Sequence, residues 1–159
     1  MKDFEQFAVS AMPSLLRFGY LLTGDSLRAE ELVQQALVNT WGRWHRIEDE
    51  QPMAYVRRAM VNGHISWWRR ARRESTLPQD WGPDVPGPDA GDREQMVAAL
   101  RCLPSRQRAV IVLRYYEDLS EAEIARVLGC SAGTVKSHAS RALKTLRTHL
   151  SIDLETSQS

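Results

Sequence analysis

Residues 121–140, EAEIARVLGCSAGTVKSHAS, constrain the fold more than any other stretch of the chain. Ile124, Ala125 and Leu128 fall on the inward stripe of a first short helix. Gly129 follows where a tight turn needs a positive φ, which a residue without Cβ adopts at no steric cost. Ser131 is placed to cap a second helix. Val135 is expected to point back at Ala125, whose small side chain lets the two helices approach. Two helices at a steep angle around a short Gly-containing turn make a helix-turn-helix, which lays its second helix in a DNA major groove. An ordinary helical hairpin shares the periodicity but does not require Ala, Gly and Val together at this spacing.

The remainder reads as helical too, and no strand is predicted. Phe4, Phe7, Ala11, Leu15, Phe18 and Leu22 recur at spacings of three and four, with Pro13 expected as a kink or boundary. Gly24 ends that unit, and Asp25 or Ser26 caps the next helix. There Leu32, Val33, Ala36, Leu37, Thr40 and Trp41 share one face. Pro52 opens a third helix. The Asn62-Gly63 dipeptide is expected to end it near that point, with a fourth helix running from about His64 to Arg73. Further on, Met96, Val97, Leu100 and Leu103 mark a helix that stops at Pro104. Ser105 is expected to cap a second one, on which Val110, Leu113 and Tyr116 recur, with its end near Asp118. Ser120 and Glu123 stand at capping-box spacing before the helix-turn-helix.

Between these blocks, residues 75–92 hold four of the seven prolines and three of the nine glycines and show no periodicity. They read as an extended, flexible linker. The expectation is therefore an all-α chain of two small helical domains, 1–74 and 93–150, joined by an acidic Pro/Gly-rich linker and followed by a polar tail, 151–159, that frays.

The net charge of +1 conceals this division. Residues 1–73 carry 11 Lys/Arg against 8 Asp/Glu, residues 74–92 none against 5, and residues 93–159 10 against 7. Two basic blocks thus flank an acidic segment, a nucleic-acid signal that whole-chain charge hides. Cys102 and Cys130 are the only cysteines. They lie far apart among scattered histidines, so neither a metal site nor a cofactor is expected. No leader or membrane-spanning apolar run is seen, and a cytoplasmic protein without membrane insertion is the expectation.

Three sets of residues are candidates for contact. On the second helix of the helix-turn-helix, Val135, Ala142, Leu143 and Leu146 share the inward face. That leaves Ala132, Gly133, Thr134, Lys136, Ser137, Ser140 and Arg141 outward. Small residues near its amino end allow close approach to bases, while Lys136 and Arg141 can reach guanine acceptors or phosphates. The second set lies in AYVRRAMVNGHISWWRRARR, residues 54–73, which interleaves Arg57, Arg58, Arg69, Arg70, Arg72 and Arg73 with Tyr55, Trp67 and Trp68. Guanidiniums attract phosphates and flat rings stack on unpaired bases, the pattern of a single-strand or melted-DNA site. An Asn-Gly turn there would present Asn62 to an extruded base. One of Trp67 and Trp68 is expected in the core and the other near the surface. The third set, Glu30, Glu31, Gln34, Gln35, Val38 and Asn39, is the outward face of the second helix. By periodicity it is a solvated face, although an exposed Val38 among acids and amides suits a protein contact.

In this order the pieces resemble one family. The segments ELVQQALVNTW and YVRRAMVNGHISWWRRARR, the acidic linker, LPSRQRAVIVLRYYEDLSEAEIA and the helix-turn-helix are similar to an extracytoplasmic-function sigma factor of the sigma-70 family, from about Phe4 to Leu150. The resemblance implies a promoter-specificity subunit of RNA polymerase. By position, Glu31, Leu32, Val33, Gln34 and Gln35 resemble the family's core-binding motif, with Gln35 where an acid is usual; Val38 lies beside them. Val61, Asn62, Gly63 and His64 look like the loop that captures a flipped base of the −10 element. Arg57, Arg58, Trp68, Arg69 and Arg70 resemble its basic and aromatic surroundings. Thr134, Lys136, Ser137, Ser140 and Arg141 fall in the helix that reads the −35 element. The implied partners are core RNA polymerase, promoter DNA as duplex −35 and melted −10, and an anti-sigma factor. The acidic linker resembles one that threads a basic channel of the polymerase.

No Ser/His/Asp set, carboxylate pair or phosphate loop suggests an enzyme. Two other readings compete with this one. A helix-turn-helix regulator that never joins polymerase explains residues 121–140 but not the Trp/Arg block. A decoy that binds polymerase without opening promoters shares every motif.

Overall fold

A computed structural model of the chain describes residues 3–74 and 91–157. Among them no strand occurs, and the chain divides into two compact units, Met1–Glu74 and Ser75–Ser159. The linker expected at 75–92 lies outside the described residues except for its last two.

The first unit contains α1 (Phe4–Thr23), α2 (Ser26–Trp41), the short α3 (Trp44–Ile47) and α4 (Pro52–Glu74). Asp3 caps α1 by accepting from the Glu5 amide, and Gly24 ends it in the left-handed region at φ 70°. Asp25 caps α2, accepting from the amides of Leu27 and Arg28. Leu15, Phe18, Leu22, Val33, Val56, Met60 and Val61 are fully buried where α1, α2 and α4 pack together. Gly19 marks a close approach. A Cβ there would stand 3.2 Å from both Ala29 Cβ and Met60 Cε, so glycine allows α1 and α2 to lie against each other.

Three expectations are corrected in this unit. Pro13 does not end α1; it stands exposed within it. The amide hydrogen bond it cannot make would have gone to Val9, itself well exposed, so water can serve that carbonyl. Trp41 is not inward but 62 % exposed, its ring resting 5.1 Å from that of Phe4. Asn62-Gly63 is no turn, since α4 continues through both residues. Val61, His64 and Ile65 are buried around it, and Gly63 faces Leu32 Cδ1 at 3.4 Å from its ideal Cβ position. Packing against α2 outweighs the local cost of about 1 kcal/mol for a glycine within a helix.

The second unit contains α5 (Asp92–Arg101), α6 (Ser105–Ile111) running into a π-helical segment (Val112–Tyr116), α7 (Glu121–Leu128) and α8 (Ala132–Ser157). Val97, Leu100, Leu103, Val110, Val112, Leu113, Ile124, Val135 and Ala142 form its core. Ser105 does not cap α6. Pro104 holds the cap position with no side-chain hydrogen bond, and Ser105 is the first helical residue. Tyr116 is exposed rather than inward. The π-helical segment widens the turn, with the Glu117 amide donating to Val112 O at 3.2 Å, so the spacing of three no longer returns to the same face. Asp118 then reverses the chain at φ 54°. Finally, α8 carries on to Ser157, past the point where the tail was expected to fray.

One buried cation went unrecognised in the sequence. Arg108 is 4 % exposed. Its Nε donates to Leu100 O at 2.7 Å, and its Nη2 donates to Arg101 O at 3.1 Å and Leu103 O at 3.0 Å. It caps the carboxy-terminal end of α5 from the neighbouring helix, where last-turn carbonyls lack intrahelical donors and the helix dipole favours a cation. Burial, with Arg101 nearby, pulls its pKa down to about 10, so it remains charged at neutral pH.

Candidate nucleic-acid interface

The helix-turn-helix is built by its own caps. Ser120 accepts from the Glu123 amide, and the Glu123 carboxylate accepts from the Ser120 amide, a complete capping box. Gly129 closes α7 at φ 66°. Ser131 Oγ accepts from the Thr134 amide at 3.1 Å and shares a 2.9 Å hydrogen bond with the Thr134 hydroxyl. Val135, Ala139, Ala142 and Leu146 face inward, with Leu143 half-buried. Ala139 and, on α7, Val127 are buried residues missed in the sequence, although both fall at helical spacing from residues already on the stripe.

Lys136, Ser137, Ser140 and Arg141 are all exposed, and Lys136 with Ser140 and Ser137 with Arg141 each stand about one turn apart on α8. Thr134 is exposed too, with its hydroxyl shared with the cap. Lys136 Nζ lies 3.8 Å from Glu121 Oε2, while Arg114 Nη1 donates to Glu121 Oε1 at 3.0 Å. His138 sits half-buried beside this face, and its Nδ1 has no hydrogen-bond partner among the described residues.

Burial first, then Arg106 and Arg141, hold the His138 pKa below the ordinary 6.5. A depressed histidine contributes stability that is fully present above its unfolded pKa and is lost as pH falls toward the folded value. The second unit should therefore melt at lower temperature at about pH 5.5 than at about pH 7.5. The drop should be smaller in His138→Gln, measured by thermal circular dichroism of the full chain. Equal drops in the two proteins would remove His138 from the explanation.

In the first unit, α4 carries the basic residues in an arrangement the sequence did not reveal. Because the helix is unbroken, Arg58, Asn62, Ser66, Arg69 and Arg73 recur at spacings of four, four, three and four, and all are exposed. They form one stripe about 22 Å long. Arg70 is exposed alongside it, whereas Arg57 is half-buried. Ser66 was not among the candidates; helical periodicity would have found it had the expected break not interrupted the count.

Two of the proposed base-capture residues lie inside the unit. His64 is 2 % exposed, and its Nε2 accepts from Trp68 Nε1 at 3.1 Å. Val61 is buried as well. In a continuous helix, positions 61, 64 and 65 turn toward α2 and cannot form a surface loop with Asn62. Trp67 and Trp68 are both half-buried rather than one inside and one outside, with their rings edge to face at 5.5 Å. The Arg28 guanidinium lies over the Trp67 ring at 4.4 Å and pairs with Glu31 at 3.3 Å. Burial lowers the Arg28 pKa, and Glu31 opposes the shift.

On α2, Glu30, Glu31, Gln34, Gln35, Val38 and Asn39 are exposed, and Gln35 Nε2 donates to Asn39 Oδ1 at 3.4 Å. Leu32 is not available to a partner, being 3 % exposed against α4. Val38 and Asn39 border an open hollow of about 510 Å³ that also includes Gly42, Arg43 and Tyr55. Among the described residues, no group of three or more His, Cys, Asp or Glu could hold a metal ion, and no helix is long and apolar enough to cross a membrane.

The family model for sigma-70 region 2 matches residues 8–74, and that for sigma-70 region 4 matches residues 93–146. The chain is 42 % identical to the RNA polymerase sigma-E factor of Streptomyces coelicolor, over 93 % of this chain and 86 % of that protein. It is 35 % identical to the ECF RNA polymerase sigma factor SigL of Mycobacterium tuberculosis, over 84 % of this chain and 80 % of that one. Among solved structures, the sigma factor RpoE of Bartonella quintana, crystallised with the anti-sigma factor NepR, matches with a TM-score of 0.78 and 28 % identity, covering 96 % of this chain and 99 % of that one. Two family regions, each falling on one of the two helical units, together with relatives matched over most of their length, make the chain an RNA polymerase sigma factor of the extracytoplasmic-function branch of the sigma-70 family.

Proposed function

We propose that the first unit docks on core RNA polymerase through Glu31, Gln34, Gln35 and Val38 and holds melted −10 DNA along α4, while the second unit reads duplex −35 DNA through α8. The exposed stripe Arg58, Asn62, Ser66, Arg69 and Arg73 carries this reading, with the half-buried tryptophans beside it. Positive charge at both ends of the stripe can hold a flexible phosphate backbone, and an amide between the arginines can hydrogen-bond an unpaired base edge. Capture of this kind uses a helix surface, with Asn62 reaching outward from α4 rather than from a loop.

The roles are binding and positioning. The chain supplies no reacting group, and the polymerase performs the chemistry. The RpoE homologue was crystallised with an anti-sigma factor, and the overall similarity to it supports the same kind of control here, in the cytoplasm where polymerase works.

The test is transcription by the purified chain with bacterial core polymerase on a promoter library, with start sites sequenced. Initiation at a shared −35/−10 pair is expected. Polymerase binding without initiation would indicate a decoy, and no polymerase binding an ordinary helix-turn-helix regulator. In the same assay Asn62→Ala should lose selectivity at the −10 element and keep polymerase binding. Unchanged selectivity would remove Asn62 from base capture.

A further inference from the structure

The helix-turn-helix holds a carboxylate on the side of the molecule where DNA phosphates are to lie. Glu121, in the first turn of α7, is half-buried and receives Arg114 Nη1 at 3.0 Å on one oxygen. Its other oxygen faces Lys136 Nζ at 3.8 Å. Arg114 comes from the π-helical segment and Lys136 from α8, so one carboxylate joins all three elements of the DNA-facing corner. A pair whose cation is exposed to water, such as Glu121–Lys136, contributes little to folding, about 0–1 kcal/mol. Its position has a larger consequence for binding. A negative charge so near the recognition face lies within the ~10 Å screening length of any phosphate that Lys136 could touch.

Resting on the reading of α8 as the −35 helix, we propose that Glu121 is a specificity-determining residue of the −35 site. It restrains Lys136 and Arg114 and repels misplaced phosphates, so that DNA of any sequence binds less well and the correct −35 sequence is favoured. The contribution of a cation to backbone affinity is independent of sequence, whereas base readout requires that cation in one place. A carboxylate that occupies Lys136 in the unbound state suppresses the first more than the second. It is an instance of discrimination achieved by penalising the wrong partner.

The test uses the full chain assembled with core polymerase. The probes are a fluorescent duplex carrying the promoter selected from the library and the same duplex with its −35 element scrambled. Glu121→Gln keeps the shape and one acceptor and removes the charge. The scrambled duplex should bind about three- to tenfold more tightly to Glu121→Gln, with the slope of log K against log salt steeper by about one. The ratio of selected to scrambled affinity should fall at least about threefold. In a Lys136→Gln background the same substitution should lower that ratio much less, because only Arg114 is left to be restrained. If both duplexes gain equally, Glu121 acts only through net charge and the proposal is overturned. It is equally overturned if the ratio falls as much without Lys136. If Lys136→Gln alone leaves selected and scrambled affinities unaltered, the assignment of α8 to the −35 element is what fails. Far-ultraviolet circular dichroism of each variant separates these outcomes from loss of fold.

Discussion

Replacing Arg108 by methionine should bring the carboxy-terminal unit to the edge of unfolding at ordinary temperature. The substitution keeps an unbranched apolar stem and removes every donor. Three carbonyls at and just past the end of α5, those of Leu100, Arg101 and Leu103, then lose the guanidinium that serves them. Hydrogen bonds from a charged group are worth about 1.5–3 kcal/mol each, and a buried group left unsatisfied costs about 1–3 kcal/mol. These contributions overlap, so the expected loss is about 3–5 kcal/mol rather than their sum. The whole stability of a small domain is about 5 kcal/mol. Circular dichroism of the full chain during urea titration should show about half the helical signal lost at low denaturant while the amino-terminal unit melts unchanged. Lysine in place of Arg108 should recover only part, because one ammonium on a flexible stem cannot present the planar fork that spans three acceptors. An Arg108→Met chain with unaltered unfolding would mean that water replaces the guanidinium without cost.

Most of the helices were legible because their signals are local. Asp25, the Ser120/Glu123 box, Gly129 and Ser131 act on backbone groups two to four residues away, and each stands where its residue type indicates. The failures with the largest consequences for the surface have the opposite property. Gly63 sits inside α4 because Leu32, some thirty positions earlier, packs there, and no rule about Asn-Gly dipeptides contains that fact. The surface consequence was large, since a presumed break at residue 62 separated Arg58 from Arg69 and hid the stripe they share. His64, which the resemblance to the family assigned to base capture, lies instead in the helix core. Arg108 was hidden for the same reason. Its acceptors lie five to eight residues back across a helix boundary, although its place three and four residues before Ile111 and Val112 does put it on a buried face. Lys136 and Arg141 were found as exposed residues by periodicity alone. The salt bridge from Lys136 to Glu121 was not, because it forms between helices.

For DNA recognition the largest loss should follow removal of Lys136 and Arg141 together. Both are exposed on α8 about one and a half turns apart, and each can reach a base acceptor or a phosphate. A good contact to a base edge is worth about 1–3 kcal/mol of discrimination, roughly additive where contacts do not touch. The double alanine variant should therefore weaken binding of polymerase holoenzyme to the selected −35 duplex by about 2–4 kcal/mol, some thirty- to a thousandfold. Binding to a scrambled −35 duplex should weaken much less, and the salt slope should flatten by about one for each lost phosphate contact. Polymerase association should not change, since the residues proposed to dock on core polymerase lie on α2 in the other unit. The comparison between duplexes decides the roles. A loss confined to the selected sequence makes both residues readers of bases, whereas an equal loss on both duplexes makes them backbone anchors. In that second case the sequence preference must come from the smaller groups on the same face, Ser137 and Ser140, and from the shape of the DNA they approach.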